Sequence, residues 1–110
     1  MGRKILTVIT AITGDRIVIG EAEFNHAKEE HFSMLPADIL LELIERILKD
    51  PTKIFEQEKL HQYHLFYRLD NQRYLIVIVK KTHTGNYFSS MYSTGSSIRN
   101  SHKNLKEVKL

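Results

Sequence analysis

Six histidines, at positions 26, 31, 61, 64, 83 and 102, are the first residues of this 110-residue chain whose chemistry bears on function. Imidazole titrates near neutral pH and is the commonest metal ligand, so it invites either a proton-transfer or a metal reading. The spacings oppose zinc. His26 and His31 stand five apart, which on a helix separates them by roughly 140°, and neither belongs to an H-E-x-x-H pattern. His61 and His64 fall on opposite faces of a strand. The sequence has no cysteine, which excludes thiolate zinc sites, disulfides and a cysteine nucleophile together. It also lacks G-x-G-x-x-G, G-x-x-x-x-G-K-[ST] and G-x-S-x-G, the usual signatures of dinucleotide, P-loop nucleotide and hydrolase-elbow chemistry. Neither a metal nor a cofactor is expected.

A second group of polar residues follows from strand alternation, because successive side chains point to opposite faces. Tyr63, Leu65, Tyr67 and Leu69 share one face with Tyr74, Ile76 and Ile78. His64, Phe66 and Arg68 share the other with Leu75, Val77 and Val79. A two-residue turn at Thr84-Gly85 then sets Ser90, Tyr92 and Thr94 opposite Val79, Val77 and Leu75, on the face of His64, Arg68, Arg73 and Lys81. In that register Lys80 points away, and Lys81 is the better neighbour of the group. A face with cations, an imidazole, hydroxyls and a phenol suits phosphate and sugar, since Arg offers a planar fork to phosphate and Tyr can stack or donate. A solvated face of an ordinary antiparallel sheet carries the same alternation.

Charge is unevenly distributed. Residues 1–58 carry seven Lys or Arg against eleven Asp or Glu, a net of −4, whereas residues 59–110 carry nine against two, a net of +7. A basic half can attract a polyanion by displacing the counterions around its phosphates, although basic residues also simply coat a solvated tail. No apolar run is long enough to span a bilayer, and the N-terminal MGRKILTVITAITGDR lacks a long apolar core and a small-residue cleavage site. With the lack of cysteine, this leads to the expectation of a cytoplasmic protein with no membrane contact.

The elements that must position these residues are legible in outline. Arg3–Ile12 and Ile17–Ile19 flank Thr13-Gly14-Asp15 as a β-hairpin. A helix begins at about Glu21 with acids in its first turn, and Phe24, Ala27 and either Lys28 or His31 share one of its faces. Pro36 suits the first turn of a second helix, where Ile39, Leu40, Leu43, Ile44, Ile47 and Leu48 form one apolar stripe, and Asp50-Pro51 stops it. A short strand at Ile54-Phe55 and strands over Leu60–Leu69, Arg73–Lys81 and Tyr87–Thr94 then form a meander, turning at Asp70-Asn71-Gln72 and Thr84-Gly85-Asn86. The expected fold is therefore α+β, an N-terminal β-hairpin and two helices packed on a four-stranded antiparallel meander sheet. Residues 1–98 form one domain. Gly95–Ser101 reads as a loop, and Arg99–Leu110 as a basic tail, helical or frayed.

The order of these pieces resembles the phage-associated members of the barnase, EndoU, colicin-nuclease and RelE-like ribonuclease superfamily. The resemblance runs from about Ile19 to Thr94. His26 and His31 match an H-x-x-x-x-H helix, Asp50-Pro51 a helix stopped by D-P, and Tyr67-Arg68 a strand ending in Y-R. Lys80 matches the basic end of a Val-rich strand, and Ser90 and Tyr92 match T-x-Y. Ser90 stands where Thr is usual, and Ser93 and Phe32 where Pro is common. The resemblance implies metal-independent cleavage of single-stranded or loop RNA, by attack of a ribose 2′-hydroxyl on the adjacent phosphate. It implies proton transfer by His31 or His26, phosphate charge held by Arg68 and Lys80, and positioning or proton donation by Ser90 and Tyr92. Lys81, His64, Arg73 and Thr94 complete the expected substrate-binding set. A toxin-like module of this kind would meet a neutralising protein partner through the basic tail. The competing expectations are a non-catalytic RNA- or protein-binding domain and a structural accessory protein of phage or mobile-element origin.

Overall fold

The computed structural model of the chain describes residues 4–57, 63–70, 73–94 and 105–108. Strands β1 (Ile5–Thr10) and β2 (Arg16–Gly20) form the expected antiparallel hairpin. Its turn is closed by Ala11 N–H donating to the Asp15 carbonyl at 2.8 Å and Gly14 N–H to the Ala11 carbonyl at 2.9 Å. Gly14 has φ +91°, a left-handed conformation that residues with a Cβ rarely adopt, so glycine suits this turn.

Helix α1 (Glu21–His31) follows β2 without a linker, and α2 (Ala37–Lys49) follows Pro36, which stands at the N-cap. Leu40, Ile44, Ile47 and Leu48 of α2 are fully buried, as their spacing of three and four predicts. Phe24 and Ala27 carry the buried face of α1. The principal core joins these residues to Ile17, Ile19, Phe66, Val77, Val79, Phe88 and Met91 of the sheet. The residue before Pro51 leaves helical geometry, Asp50 having φ −143°, and α2 stops there.

Strands β3 (Lys53–Gln57), β4 (Tyr63–Asp70), β5 (Arg73–Thr82) and β6 (Gly85–Thr94) pair in sequence as an antiparallel meander. Among the described residues, however, the sheet has seven strands in the order β1-β2-β6-β5-β4-β3-β7. The hairpin is not a separate layer. It joins the meander through two parallel pairs, Ile17↔Asn86 and Val18↔Tyr87, making the sheet mixed rather than purely antiparallel. At the opposite edge, β7 (Leu105–Val108) pairs antiparallel with β3. A stretch of the basic tail is therefore a strand, neither helical nor frayed. β3 would otherwise expose a row of unpaired backbone groups, which β7 covers. The Asn71-Gln72 turn residues, the Gly95–Ser101 loop, and His61, Arg99 and His102 lie outside the described residues.

Candidate functional site

One extra residue decides which side chains meet. The chain turns at His83-Thr84 rather than Thr84-Gly85, and pairing runs evenly from Thr82↔Gly85 to Val79↔Phe88. It resumes at Ile78↔Ser90, so Ser89 is unopposed and forms a β-bulge. Beyond the bulge the strand's parity is reversed. Tyr92 lies opposite Ile76 and Thr94 opposite Tyr74, which puts Ser90, Tyr92 and Thr94 on the face of Ile76 and Ile78. The register of β4 and β5 is as alternation predicts, with Arg68↔Leu75, Phe66↔Val77 and His64↔Val79 on the other, helix-packed face. The expected grouping of Arg68 with Ser90 and Tyr92 is thus incorrect, and so is the separation of Lys80. Lys80, two residues from Ile78, shares the face of Ser90 and Tyr92.

This second face has its own apolar cluster. Leu65 and Ile76 are buried, with Phe55, Tyr74, Ile78 and Tyr92 packed against them. α1 reaches it from the side. After Val18↔Tyr87 the chain leaves the sheet as α1, which packs on β6. The C-terminal residue of α1, His31, thereby comes to lie beside Tyr92, with ring centroids 6.3 Å apart and planes at 51°. Phe32 meets the same imidazole edge-on at 6.3 Å. His31 is exposed and Tyr92 half-buried. Burial pushes the Tyr92 phenol up, so it keeps its proton at neutral pH. His26 is also exposed, and its offset around the helix keeps it from meeting Tyr92 on the His31 side.

Arg68, Lys81 and His64 are engaged on the helix-packed face. Arg68 donates from Nη1 to the Asp50 carbonyl and, at 2.9 Å, to Asp50 Oδ2. Beside it, Leu69 N–H donates to Thr52 Oγ1 at 3.1 Å. The arginine of the strand-end motif thus holds the residue that stops α2. Arg73 is exposed at the start of β5, opposite Asp70.

At the other end of the same face, Lys81 Nζ meets Asp15 Oδ2 at 3.2 Å, and Thr13 Oγ1 donates to the same oxygen at 2.8 Å. Burial raises the Asp15 carboxyl, but the Thr13 and Lys81 hydrogen bonds and the charges of Lys81 and His64 outweigh it and hold the group below the usual range. His64 lies 3.9 Å from Glu56. Its burial, and secondarily the Lys81 charge, lower its pKa against the opposing pull of Glu56 and Asp15. Asp15 and Glu56 were not predicted as members of any site. The turn position of Asp15 explained it fully, and Glu56 faces His64 only through a β3–β4 register that the sequence does not specify.

Among the described residues no group of three or more His, Cys, Asp or Glu is arranged to hold a metal ion. No described helix is long and apolar enough to cross a membrane. The candidate site therefore comprises His31 at the end of α1 beside Tyr92, with Ser90, Thr94 and, farther along, Lys80 on the sheet face of Tyr92. None of the curated proteins and none of the solved structures matches the chain. A family model does match, over residues 2–109, and the chain belongs to the phage-Barnase-EndoU-ColicinE5/D-RelE like nuclease2 family.

Proposed function

We propose that this nuclease-family domain is a metal-independent endoribonuclease whose reacting groups are His31 and Tyr92. The carrying observation is the imidazole beside the phenol, 6.3 Å between ring centroids, with the Ser90 and Thr94 hydroxyls on the same strand face as Tyr92. A phosphodiester seated against the exposed edge of this pair has a base in the imidazole and an acid in the phenol. His31 accepts the proton of the ribose 2′-hydroxyl as the 2′-oxygen bonds to phosphorus. The bond from phosphorus to the 5′-oxygen breaks, and Tyr92 gives its proton to that oxygen. The transfer is favourable because an alkoxide is a stronger base than a phenolate, even one whose pKa burial has raised. The products are a 2′,3′-cyclic phosphate and a 5′-hydroxyl, and the His31 proton restores the phenol. Ser90 and Thr94 flank Tyr92 and donate to the phosphoryl oxygens, where charge grows.

Lys80 binds substrate rather than reacting. It lies four residues along β5 from Ile76, the partner of Tyr92, which is ~13 Å by strand rise and places it about two phosphates along the strand from the scissile one. Arg68 is a positioning residue in this reading, because its guanidinium is spent on Asp50. His64, Lys81 and Arg73 leave the substrate-binding set for the same reason of face. Single-stranded or loop RNA is the substrate, since the 2′-hydroxyl must swing in line with its phosphate and paired RNA resists that.

Incubation of the purified chain with labelled single-stranded RNA in EDTA tests the proposal. Cleavage to cyclic-phosphate ends, lost in both His31→Ala and Tyr92→Phe, is the expected result. Salt-sensitive binding without cleavage would replace it with a non-catalytic RNA-binding domain, and no interaction with RNA would leave an accessory role.

A further inference from the structure

We infer that the outer edge of β1 and the acidic groove beside it receive an extended, basic segment of a partner protein, which adds to the sheet as a further strand. Among the described residues β1 is the terminal strand of the sheet, and its sequence ILTVIT contains no charge and no proline. Terminal strands usually carry such residues to prevent pairing with other chains. Here Ile5 and Val8 are 54% and 39% exposed instead. Pairing shifts between Ile5 and Thr7, so that Leu6 bulges and turns into a groove between β1 and the helices. Two adjoining cavities of about 270 and 280 Å³ make up the groove, sharing Asp38 and Leu41. Leu6, Ile9 and Leu41 give them an apolar floor.

The rim specifies the partner's charge. Asp38, Glu42 and Glu45 line the groove from one side of α2, and Glu21 closes one end. Glu21 pairs with Lys4 and Glu45 with Lys49, whereas Asp38 and Glu42 have no cation within ion-pair distance among the described residues. Along a helix Asp38 and Glu42 are ~6 Å apart. Alternate residues of an extended strand are spaced by ~6.7 Å. A strand laid along β1 with Lys or Arg at alternate positions therefore meets these carboxylates in step, with its backbone groups paired to the β1 edge. This is strand addition, in which main-chain bonds supply affinity and alternate side chains supply selectivity. A second copy of the chain joined through β1 is disfavoured, because it would line the same seam with the carboxylates of both molecules.

The probe is an alternating Lys-Val heptapeptide titrated against the full chain, with amide hydrogen exchange reporting where it binds. The expected result is salt-sensitive binding that slows exchange in β1. Affinity should fall at least tenfold for the combined Asp38→Lys, Glu42→Lys variant, whose exposed sites leave the fold intact by circular dichroism. It should fall as far for a peptide with proline at its central position, and a Glu-Val peptide should not bind. Failure of the Lys-Val peptide to bind, equal binding of the Glu-Val peptide, or protection elsewhere than β1 would overturn the inference. Self-association of the free chain that protects β1 would also overturn it, in favour of a second copy.

Discussion

The guanidinium of Arg68, on β4, donates to both the backbone carbonyl and the carboxylate of Asp50, at the end of α2. Two residues that carry the family resemblance, one in the helix stop and one at the strand end, are thus partners of one another. Their joint effect is to fix the C-terminus of α2 to the sheet, where the orphan carbonyls of a helix need donors.

The two halves of that contact are separable. Arg68→Ala removes both hydrogen bonds and should cost about 1–2 kcal/mol of unfolding free energy, as expected for partly exposed bonds to a charged donor. Asp50→Asn keeps the carbonyl acceptor and should cost less than about 1 kcal/mol. Urea denaturation of the two variants checks the order, and an equal loss would show that the carboxylate rather than the carbonyl dominates.

The proposed reacting pair predicts a split in kinetic effects. His31→Ala and Tyr92→Phe should each lower kcat by about 10²–10⁴. Lys80→Ala should instead raise KM several-fold with little change in kcat and make the reaction less sensitive to salt, as loss of one phosphate contact requires. Single-turnover assays on a short single-stranded RNA over a range of salt distinguish the two patterns.

Stability should depend on pH through His64. Its folded pKa lies below the ordinary 6.5, so the unfolded chain binds more protons over the interval between the two values. The stability His64 contributes is whole above 6.5 and declines as pH falls through the folded value. Asp15, also depressed, adds a loss at lower pH, beginning near its ordinary 3.8. Urea midpoints measured from about pH 8 down to about pH 2 should fall with pH, and the upper part of that slope should flatten in His64→Gln.

Deleting Ser89 should remove the bulge and leave every later partner in place. Phe88↔Val79 is then followed directly by Ser90↔Ile78, so Met91 stays opposite Val77 in the core and Tyr92 opposite Ile76. The expected outcome is a folded variant that loses no more than about 1–2 kcal/mol and still cleaves RNA. Urea denaturation and a single-turnover assay check it, and loss of cleavage in a stably folded variant would show that the local bend of the bulge is needed to bring Tyr92 beside His31.

Periodicity in the sequence located nearly every element. The apolar stripe from Leu40 to Leu48 and the alternation through β4 and β5 are local signals, and both faces of β5 follow from them. What escaped was non-local or a single-residue event. Nothing in Arg16–Gly20 distinguishes a strand that pairs only with β1 from one that also pairs in parallel with Asn86 and Tyr87. Leu105–Val108, flanked by lysines, reads as solvated tail until β3 supplies an edge for it. The bulge at Ser89 carries no residue signature, yet it decides whether Tyr92 meets Arg68 or His31. Of the expected site, His31, Ser90, Tyr92, Thr94 and Lys80 share one face or border it, while Arg68, His64, Lys81 and Arg73 do not.

The hairpin is joined to the meander through Ile17↔Asn86 and Val18↔Tyr87, positions nearly seventy residues apart in the chain. Contacts that distant carry a large loop-closure entropy and form late in folding. His31 and Tyr92 belong to the two segments that this junction unites. A chain still emerging from the ribosome, or truncated before β6, has the histidine without the phenol, so under the proposed mechanism the RNA of its own synthesis machinery meets no complete cleaving pair until translation of the sheet is nearly finished.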